Sequence, residues 1–461
     1  MININIPRFC IVSFKPVLKI SGNFSQEMYN KNMEIKVKLA KQTIHCNISR
    51  QTVDLYSFSA RVNLRKKISL LKIRLDTGQG KSLTVRRVIV IHLGKSYLLQ
   101  NRDLYAKHKK NVLVVCHEIS LTGAPIIGKN IARELSKDYN IFLWADVVKD
   151  YGLVADFAKY CCEVLIGFHH FQRIVKELPK LEFAILNSLL TGTVTPHVKK
   201  ICPKVIALIH EFPYFCPQQM VCHIKDDADV VVFPSTQVKN SYNNLAQKKT
   251  FLLSQGFMGF EDNSDFDPSY LQIFEDKKVV LSCGTICSRK GYDIFLQTAK
   301  KYQSMYKEDD VAFVWIGKKD LHDGEYNLWQ EVYRELVDIN NIYMVPEQKN
   351  LESFFSKASV FYMCSRLDPC PNVVIEAMYY KTPIVLFDKG CGCVDFFTSV
   401  PQGAKIVPFL DVSIAAQEIH SLLQDPKLCQ NIGEANREYV IENLNFRNYV
   451  QNLKSIANNN E

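Results

Sequence analysis

The chain has 461 residues, of which 47% are apolar and 23% are charged. This length allows several domains, and the composition excludes a disordered or fibrous protein. No apolar run reaches the roughly 18 residues that a membrane-spanning helix needs, and residues 1–20 lack a basic leader followed by an apolar core. We therefore expect neither a membrane-spanning helix nor a secretion signal.

The cysteines and the charges point to a compartment and to a partner surface. Fifteen cysteines occur without the spacing of a disulfide framework or a zinc site, which indicates a reducing, cytoplasmic protein without a bound metal. Residues 1–110 hold 22 Lys and Arg against 5 Asp and Glu, a net charge of +17, whereas the remaining residues carry −7. The basic charge therefore belongs to the N-terminal region.

Apolar and polar residues alternate between positions 31 and 93, as in the segment containing Ile35, Val37 and Leu39. A period of two predicts half-buried strands, and the sequence TGQG at 77–80 predicts a hairpin turn. We predict an antiparallel, sandwich-like β module over residues 1–107, ending in a polar linker at 101–111. Its basic strand residues are expected on a solvated face: Lys36, Lys38, Arg61, Lys72 and Arg74.

From residue 112 onward, apolar runs alternate with helical patterns. Strands are predicted at 112–116, 141–144, 183–186, 205–209, 279–283, 311–316 and 360–363, and helices at 125–137, 292–302 and 351–357. This alternation predicts two doubly wound α/β domains with parallel sheets, at 108–262 and 263–461. The acidic, turn-prone segment 261–269 is the expected hinge between them.

The segment 368–376 (DPCPNVVIE) places the carboxylates of Asp368 and Glu376 eight positions apart. Pro371 suits the first position of a helix, so Asp368 is expected in the preceding loop and Glu376 on the helix. The free N–H groups of Asn372 and Val373 would then lie at the positive end of the helix dipole and favour a phosphate. Four residues at helical spacing are predicted to form the buried face: Val373, Val374, Ala377 and Met378.

Other polar motifs follow predicted strands, where ligands bind in such sheets. The loop 284–291 (GTICSRKG) begins with Gly284 and carries Arg289 and Lys290, which suit a diphosphate. Gly123 precedes a helix expected to start at Pro125, and His210 follows the strand 205–209. Each motif also has an ordinary explanation: a tight turn, a core histidine or a solvated basic pair.

In this order, the motifs resemble those of the retaining glycosyltransferases of family 4, which have the two-domain GT-B fold, over about residues 111–455. The loop 284–291 is similar to that family's Gly-Arg-x4-Lys-Gly loop, 368–376 to its Glu-x7-Glu motif, and 122–125 to its N-terminal glycine loop. The subgroup that makes bacterial surface polysaccharides is also similar at 117–118 (HE), 208–212 (LIHEF), 233–235 (FPS) and 368–371 (DPCP).

The resemblance implies retaining transfer of a sugar, of the hexosyl type, from a nucleoside-diphosphate sugar to a glycan or lipid-linked acceptor in cell-surface polysaccharide or lipopolysaccharide synthesis. Residues 108–262 would be the acceptor-side domain and 263–461 the sugar-nucleotide-binding domain. Glu376 would hold the ribose hydroxyls, Asp368 the hydroxyls of the transferred sugar, and Lys290 with Arg289 the diphosphate. His210 would lie near the reacting carbon. Neither a metal nor a cofactor would be required.

The chain differs from the family pattern at three positions. Asp368 is one methylene shorter than the usual Glu, Thr285 stands where an Arg is common, and Lys381 replaces the glycine that usually ends the helix. A left-handed Lys381 would cost about 1 kcal/mol.

Other functions compete with this interpretation. A metal-dependent GT-A transferase would need an Asp-x-Asp pair, and the letters occur at 227–229, before an apolar strand, and at 265–267, in the expected hinge. A second alternative is a degenerate transferase fold that binds carbohydrate or a partner. A third is a sugar-nucleotide epimerase, which would leave the β module without a purpose. The basic module suits an anionic surface, so we expect peripheral attachment to the inner face of the cell membrane or docking on an acidic acceptor or partner. No nucleic-acid-binding motif is present, so no nucleic-acid partner is expected.

Overall fold

The structure is a computed structural model of the 461-residue chain. It describes residues 101–458 except 168–170, 172–177, 246–247, 260–267, 319–340 and 349, and for residues 1–100 it describes the backbone of the strands. Most of the expected hinge, including the domain limit at 262/263, therefore lies outside the described residues. The chain divides into two compact units. The first comprises Met1–Gln100, Trp144–Val147 and Glu163–Glu177, and the second comprises the rest of the chain.

The first unit contains the N-terminal strands, and the strands predicted around Val37, Val62 and Ile73 are confirmed. The strands described in residues 1–100 are β1 (Asn3–Ile4), β2 (Cys10–Ser13), β3 (Val17–Ser25), β4 (Glu34–Leu39), β5 (Gln42–His45), β6 (Asn47–Thr52), β7 (Leu55–Asn63), β8 (Ile68–Asp76), β9 (Ser82–His92) and β10 (Tyr97–Gln100). They form sheets of order β1-β3-β7-β6 and β2-β9-β8-β4-β5. Pairing is antiparallel except between β2 and β9, and β10 pairs antiparallel with the strand Glu163–Ile166.

Strands and helices alternate along residues 111–252, as predicted, and two of these segments, Trp144–Val147 and Glu163–Ile166, belong to the first unit. The elements are β11 (Asn111–Ile119), α1 (Gly123–Leu135), β12 (Asn140–Val148), α2 (Tyr151–Ala158), β13 (Glu163–Ile166), β14 (Leu181–Asn187), α3 (Thr195–Lys199), β15 (Val205–Leu208), α4 (Gln218–Asp227), β16 (Val230–Phe233), α5 (Thr236–Asn240) and β17 (Lys249–Leu252). Strands β11, β14, β15, β16 and β17 pair in parallel in that order. Their carboxyl ends therefore meet at one edge of the sheet.

A second parallel sheet follows, of order β20-β19-β18-β21-β22-β23. Its elements are α6 (Gln272–Asp276), β18 (Lys278–Cys283), α7 (Tyr292–Tyr306), β19 (Val311–Ile316), β20 (Ile342–Val345), α8 (Glu352–Lys357), β21 (Val360–Met363), α9 (Asn372–Tyr379), β22 (Ile384–Phe387), β23 (Ala404–Val407), α10 (Val412–Gln424), α11 (Pro426–Asn443) and α12 (Phe446–Asn458). Strands β19 and β21 begin and end at the predicted residues.

Apolar side chains cover both faces of this second sheet. In β18, Val279 and Leu281 pack into the apolar cluster that includes residues of α9, whereas Val280 packs into the cluster that includes residues of α7 and α10. Because successive strand residues point to opposite faces, a continuous apolar run is required when helices lie on both sides. The predicted doubly wound arrangement is confirmed.

The predicted linker 101–111 is well anchored along part of its length. Asn140 is 1% exposed, and its Nδ2 donates to the carbonyl oxygens of Ala106 and Lys109 at 2.9 and 3.0 Å. Its Oδ1 accepts a hydrogen bond from the amide of Ala106 at 2.9 Å. A buried amide with these partners fixes the backbone of the segment, so it is an ordered lead into β11 and not a loose tether.

Candidate active site

A cleft with a volume of about 830 Å³ lies within the second unit. It is lined by loops that follow β11, β15, β18 and β21, and its volume falls in the range usual for ligand sites. All nine residues predicted as site residues line it: Gly123, His210, Gly284, Arg289, Lys290, Asp368, Asn372, Val373 and Glu376. Segments far apart in sequence therefore converge on one cavity.

The loop after β18 is shaped by two glycines with positive φ. Gly284 has φ 147°, and its carbonyl accepts a hydrogen bond from Nε1 of Trp315 at 2.9 Å. Gly291 has φ 74°, and a Cβ there would lie 2.1 Å from the carbonyl oxygen of Cys364. No side chain fits at Gly291, so the turn that presents Arg289 and Lys290 depends on this glycine.

A buried ion pair that sequence reasoning missed supports the same loop. Arg366 makes a two-pronged contact with the carboxylate of Asp293 at 2.7 and 2.6 Å, and it also donates to the carbonyl oxygen of Ser288 at 2.7 Å. Asp293 is 6% exposed. This bidentate geometry gives the loop a fixed orientation. The sequence offered one indication of this pair: Asp293 lies two residues after the loop 284–291, and Arg366 lies two residues before the segment 368–376.

Asp368 is paired with both basic residues of the loop. Its Oδ2 lies 2.5 Å from Nζ of Lys290 and 3.4 Å from a guanidinium nitrogen of Arg289, which also donates to the carbonyl oxygen of Leu367 at 3.0 Å. Burial alone would raise the pKa of Asp368, but the charges of Lys290 and Arg289 hold that pKa below its ordinary value. The carboxylate is therefore ionised and orients both cations.

Helix α9 differs from the prediction at its start and on its buried face. Pro371 has φ −68° and ψ 123°, so it caps the helix and Asn372 is the first helical residue. Val373 is half-buried and lines the cleft, whereas Ile375 is 1% exposed in the core. Val373 packs against the apolar core from its partly buried position and also lines the cleft, as Ile375 and Glu376 do, so its predicted place on the buried face is confirmed in part.

Glu376 has a carboxyl group without a hydrogen-bond or ion-pair partner among the described residues. Burial raises its pKa to about 8. A partly buried carboxylate without partners is poorly solvated, so hydrogen-bond donors of a ligand would stabilise its charged form. Its place on the cleft wall gives it access to such a ligand.

The two other departures from the family pattern also have clear positions. Thr285 lines the cleft beside the basic loop. Lys381 follows the helix in the left-handed region, with φ 64°, and its Nζ pairs with Glu434 at 2.6 Å. This strained conformation costs about 1 kcal/mol for a residue with a Cβ.

The hydrogen bonds of His210 define which ring nitrogen carries the proton. Nδ2 of Asn187 donates to the carbonyl oxygen of Ala124 at 2.6 Å, so Oδ1 of Asn187 faces Nε2 of His210 at 2.9 Å. Nε2 therefore donates, and Nδ1 is left as an acceptor. Burial and the neighbouring charge of His117 lower the pKa of His210 to about 4, so the ring is neutral at ordinary pH.

The carboxylate of Glu211 holds the loop that presents His210. It accepts hydrogen bonds from the hydroxyl of Ser188 at 2.5 Å, from the amide of Leu189 at 2.9 Å and from the amide of His210 at 3.1 Å. Burial raises the pKa of Glu211 despite these bonds. Glu211 therefore acts by positioning His210. The sequence indicated it only through its place beside His210, directly after the predicted strand 205–209.

The glycine loop of the N-terminal domain lies close to the start of α9. Helix α1 begins at Gly123, with Thr122 as its cap, and not at Pro125 as predicted. A Cβ on Gly123 would lie 3.5 Å from Nδ2 of Asn372, which is ordinary contact distance. The loop therefore forms the wall of the cleft opposite the helix.

Three further residues bind the two sheets together around the segment 368–372. The hydroxyl of Ser235 donates to the carbonyl oxygen of Pro369 at 3.0 Å. Nε2 of Gln255 donates to the carbonyl oxygen of Cys370 at 2.7 Å and to Oδ1 of Asn372 at 3.0 Å. The amide of Thr236 donates to Asp395 at 2.6 Å. Sequence reasoning missed these contacts because they join segments more than a hundred residues apart.

The competing metal-site motif has another role in the described part of the chain. Asp229 pairs with Nζ of Lys199 at 2.7 Å and accepts a hydrogen bond from the amide of Val205 at 2.7 Å. Over the described ranges, no group of three or more His, Cys, Asp or Glu side chains is arranged to hold a metal. In the same ranges, no helix has both the length and the apolar character needed to cross a bilayer.

Comparison with known proteins finds a family resemblance in the second half of the chain. Residues 263–439 match the family model described as "Glycosyl transferases group 1". This region is similar to the group 1 glycosyl transferases. An uncharacterized glycosyltransferase of Methanocaldococcus jannaschii is 28% identical over 131 residues, which is 28% of this chain and 30% of that protein. An uncharacterized glycosyltransferase of Haemophilus influenzae is 26% identical over 158 residues, covering 32% and 43% of the two chains.

A third relative is the lipopolysaccharide core biosynthesis glycosyltransferase LpsE of Rhizobium meliloti, 21% identical over 218 residues, covering 47% of this chain and 60% of LpsE. The matches thus span about a third to three fifths of these glycosyltransferases.

Solved structures show that the fold is GT-B. Anabaena HepE in complex with UDP and glucose superposes with a TM-score of 0.64 at 14% identity, over 75% of this chain and 99% of HepE. Sucrose-phosphate synthase of Thermosynechococcus elongatus gives a TM-score of 0.59 at 17% identity, over 76% and 98%. The predicted GT-B architecture of two Rossmann-like domains is confirmed.

Proposed function

We propose that this protein is a group 1 glycosyltransferase and a retaining enzyme of family 4. In this proposal it transfers a hexosyl group from a nucleoside-diphosphate sugar to a glycan or lipid-linked acceptor during synthesis of cell-surface polysaccharide or lipopolysaccharide. The name of LpsE supports the biosynthetic context, and the UDP and glucose bound to HepE support the donor class.

The observation that carries the proposal is the carboxyl of Glu376, without a partner among the described residues, on the same cleft wall as a pair of oriented cations. A sugar nucleotide offers both complements: ribose hydroxyls for Glu376, and a diphosphate for Lys290, Arg289 and the first amides of α9. The hydroxyls of the transferred sugar would bind Asp368, whose charge is maintained by the same cations.

Cleavage of a glycosyl phosphate bond places negative charge on the departing phosphate oxygen. Cations that are already oriented stabilise this charge without reorganisation, which lowers the barrier to departure. Lys290, 18% exposed, and Arg289, 36% exposed, are held by Asp368 and the backbone before any ligand binds. We therefore propose that the reaction needs neither a metal nor a cofactor.

One observation favours a second candidate, a degenerate fold that binds carbohydrate without transfer. Both cations of the loop are paired with Asp368, so a donor has to share them with an existing partner. If a diphosphate cannot displace Asp368 from these cations, the cleft would bind a sugar but not activate a sugar nucleotide.

A donor screen separates the two candidates. We expect one class among UDP-, GDP- and dTDP-sugars to raise the melting temperature, because a ligand that binds the native state stabilises it by RT ln(1 + [L]/Kd). The same donor should be hydrolysed slowly without acceptor, at a rate unchanged by excess EDTA. Donor binding without hydrolysis would support the degenerate fold, and activity lost in EDTA and restored by a divalent cation would contradict the metal-free proposal.

His210 is expected to affect turnover more than donor affinity. Because its ring is neutral with Nδ1 as an acceptor, it suits a hydrogen bond from a hydroxyl near the reacting carbon. We predict that His210→Gln lowers kcat at least tenfold while changing the donor Kd little. The matched control is His108→Gln, at an exposed position outside the cleft. Normal turnover in His210→Gln would show that the residue is only a buried histidine.

We further propose that the basic N-terminal module attaches the protein to the anionic inner face of the cell membrane. Each basic residue near such a surface adds about 1 kcal/mol of attraction. Because β10 pairs with β13, a truncation should remove residues 1–95 and keep β10. We predict salt-sensitive binding to phosphatidylserine vesicles by the full chain and its loss in the truncated protein. Equal vesicle binding by both proteins would refute the membrane role.

A further inference from the structure

Two consecutive aromatic side chains are exposed in the loop that follows β15, part of which lines the cleft. Tyr214 is 74% exposed and Phe215 is 56% exposed, the highest values for large apolar side chains in the part of the chain that the structure describes. They lie in the 3-10 turn Pro213–Phe215, which follows His210 and Glu211 on the N-terminal domain. Phe215 also lines the cleft. Exposed aromatic rings beside a ligand cavity indicate a binding surface more often than a folding requirement.

The turn that carries these rings is held in place by contacts with neighbouring residues. Phe212 is 2% exposed, and its ring lies under that of Tyr214, with centroids 6.5 Å apart and planes inclined by 19°. The hydroxyl of Tyr242 donates to the carbonyl oxygen of Glu211 at 2.8 Å, and the amide of Phe215 donates to the carbonyl oxygen of Phe212 at 3.2 Å. Rings that are already oriented lose little conformational freedom when a ligand covers them.

The chemistry of the neighbouring residues selects the class of ligand. Residues 213–220 (PYFCPQQM) carry no charged side chain. Gln218 and Gln219, three and four residues after Phe215, are also exposed, and their amides can donate to and accept from hydroxyl groups. An anionic lipid headgroup would be favoured by Lys or Arg, which are absent from this segment. A pyranose ring matches both features, with C–H groups for the π face and hydroxyls for the amides.

We propose that Tyr214 and Phe215 form a stacking platform for a neutral sugar ring of the acceptor. This inference rests on the proposed transferase function, because it identifies the acceptor as a glycan that enters the cleft past His210. The platform lies on the N-terminal domain, whereas the paired cations Lys290 and Arg289 lie on the other, so acceptor and donor would approach from opposite walls.

The test measures binding of the full-length protein to an array of neutral oligosaccharides built from glucose, galactose and N-acetylglucosamine. We expect the wild type to bind a subset, and Tyr214→Leu with Phe215→Leu to weaken that binding at least tenfold, since leucine keeps apolar area but not the π face. Tyr214→Phe should retain binding. Phe409→Ala is the matched control, at a 40% exposed phenylalanine outside the cleft.

Several outcomes would overturn the platform. Equal glycan binding by the wild type and the double leucine variant would do so, as would the absence of binding to every neutral oligosaccharide. Loss of phosphatidylserine-vesicle binding, with glycan binding intact, would assign the rings to a membrane instead. Hydrolysis of sugar nucleotides by the wild type is scored separately, so failure of the transferase proposal remains distinguishable. Melting temperatures close to that of the wild type show that the variants are folded.

Discussion

Replacement of Lys290 with alanine is expected to lower kcat/KM about 100-fold, the usual effect of removing one preorganised group that stabilises charge in the transition state. Nζ of Lys290 is 2.5 Å from the buried carboxylate of Asp368, so the substitution also removes that carboxylate's closest cation. Steady-state kinetics with the donor identified by the screen measure the effect. Lys357→Ala is the control, because Lys357 pairs with exposed Glu275 at 3.2 Å outside the cleft.

A double variant separates the two roles of Lys290. Removing one partner of a buried ion pair is destabilising because it leaves the other charge uncompensated, by up to about 3–5 kcal/mol. Asp368→Asn in the Lys290→Ala background removes that charge and should restore the melting temperature but not the activity. Recovery of both would mean that Lys290 serves only to neutralise Asp368, and the proposed contacts of Lys290 with the diphosphate and of the Asp368 carboxylate with the transferred sugar would both be wrong.

Replacement of Glu376 with glutamine is expected to stabilise the protein without donor, increasingly so as the pH rises. The pKa of Glu376 is raised from 4.5 to about 8, so the folded state favours the protonated form. Its contribution to stability is fully present below about pH 4.5 and is lost as the pH rises towards 8. The difference in unfolding free energy between variant and wild type should grow over this window to about 4 kcal/mol.

Denaturant unfolding at a series of pH values measures this difference. A difference that is constant with pH would show that the carboxyl is well solvated in the folded protein. The same substitution should weaken donor binding at least tenfold, because a hydrogen bond to a charged group contributes about 1.5–3 kcal/mol. Donor binding to the wild type near neutral pH should release a proton as Glu376 ionises, which calorimetry in buffers of different ionisation enthalpy detects.

The parts of the fold that the sequence predicted well depend on local patterns. The run Val311–Ile316 is apolar throughout because β19 is buried on both faces, and the structure begins and ends that strand at the predicted residues. The loop 284–291 and the segment 368–376 could be singled out because glycines after a strand and a proline at a helix start are visible in the sequence. Such patterns arise from requirements within a few residues, so they can be recognised in the sequence before the fold is known.

The features that the sequence did not predict depend on contacts between distant segments. The pairing of Lys290 with Asp368 joins residues 78 positions apart, and it gives the two motifs a shared electrostatic role. The tautomer of His210 depends on Asn187, which showed no motif of its own. Ser235 belonged to a recognised motif, but its bond to Pro369 spans 134 positions. Such contacts are set by how the sheets are arranged and not by spacing along the chain.

The hydrogen bond between Trp315 and Gly284 has a spectroscopic consequence. The indole is 1% exposed, so its fluorescence depends on the polar group beside it and not on bulk water. That group is the carbonyl at the first residue of the basic loop, and Gly317 approaches the same oxygen so closely that a Cβ there would lie 1.9 Å away. A ligand that shifts Gly284 must alter the environment of the indole, so the protein contains an intrinsic optical reporter of its own loop.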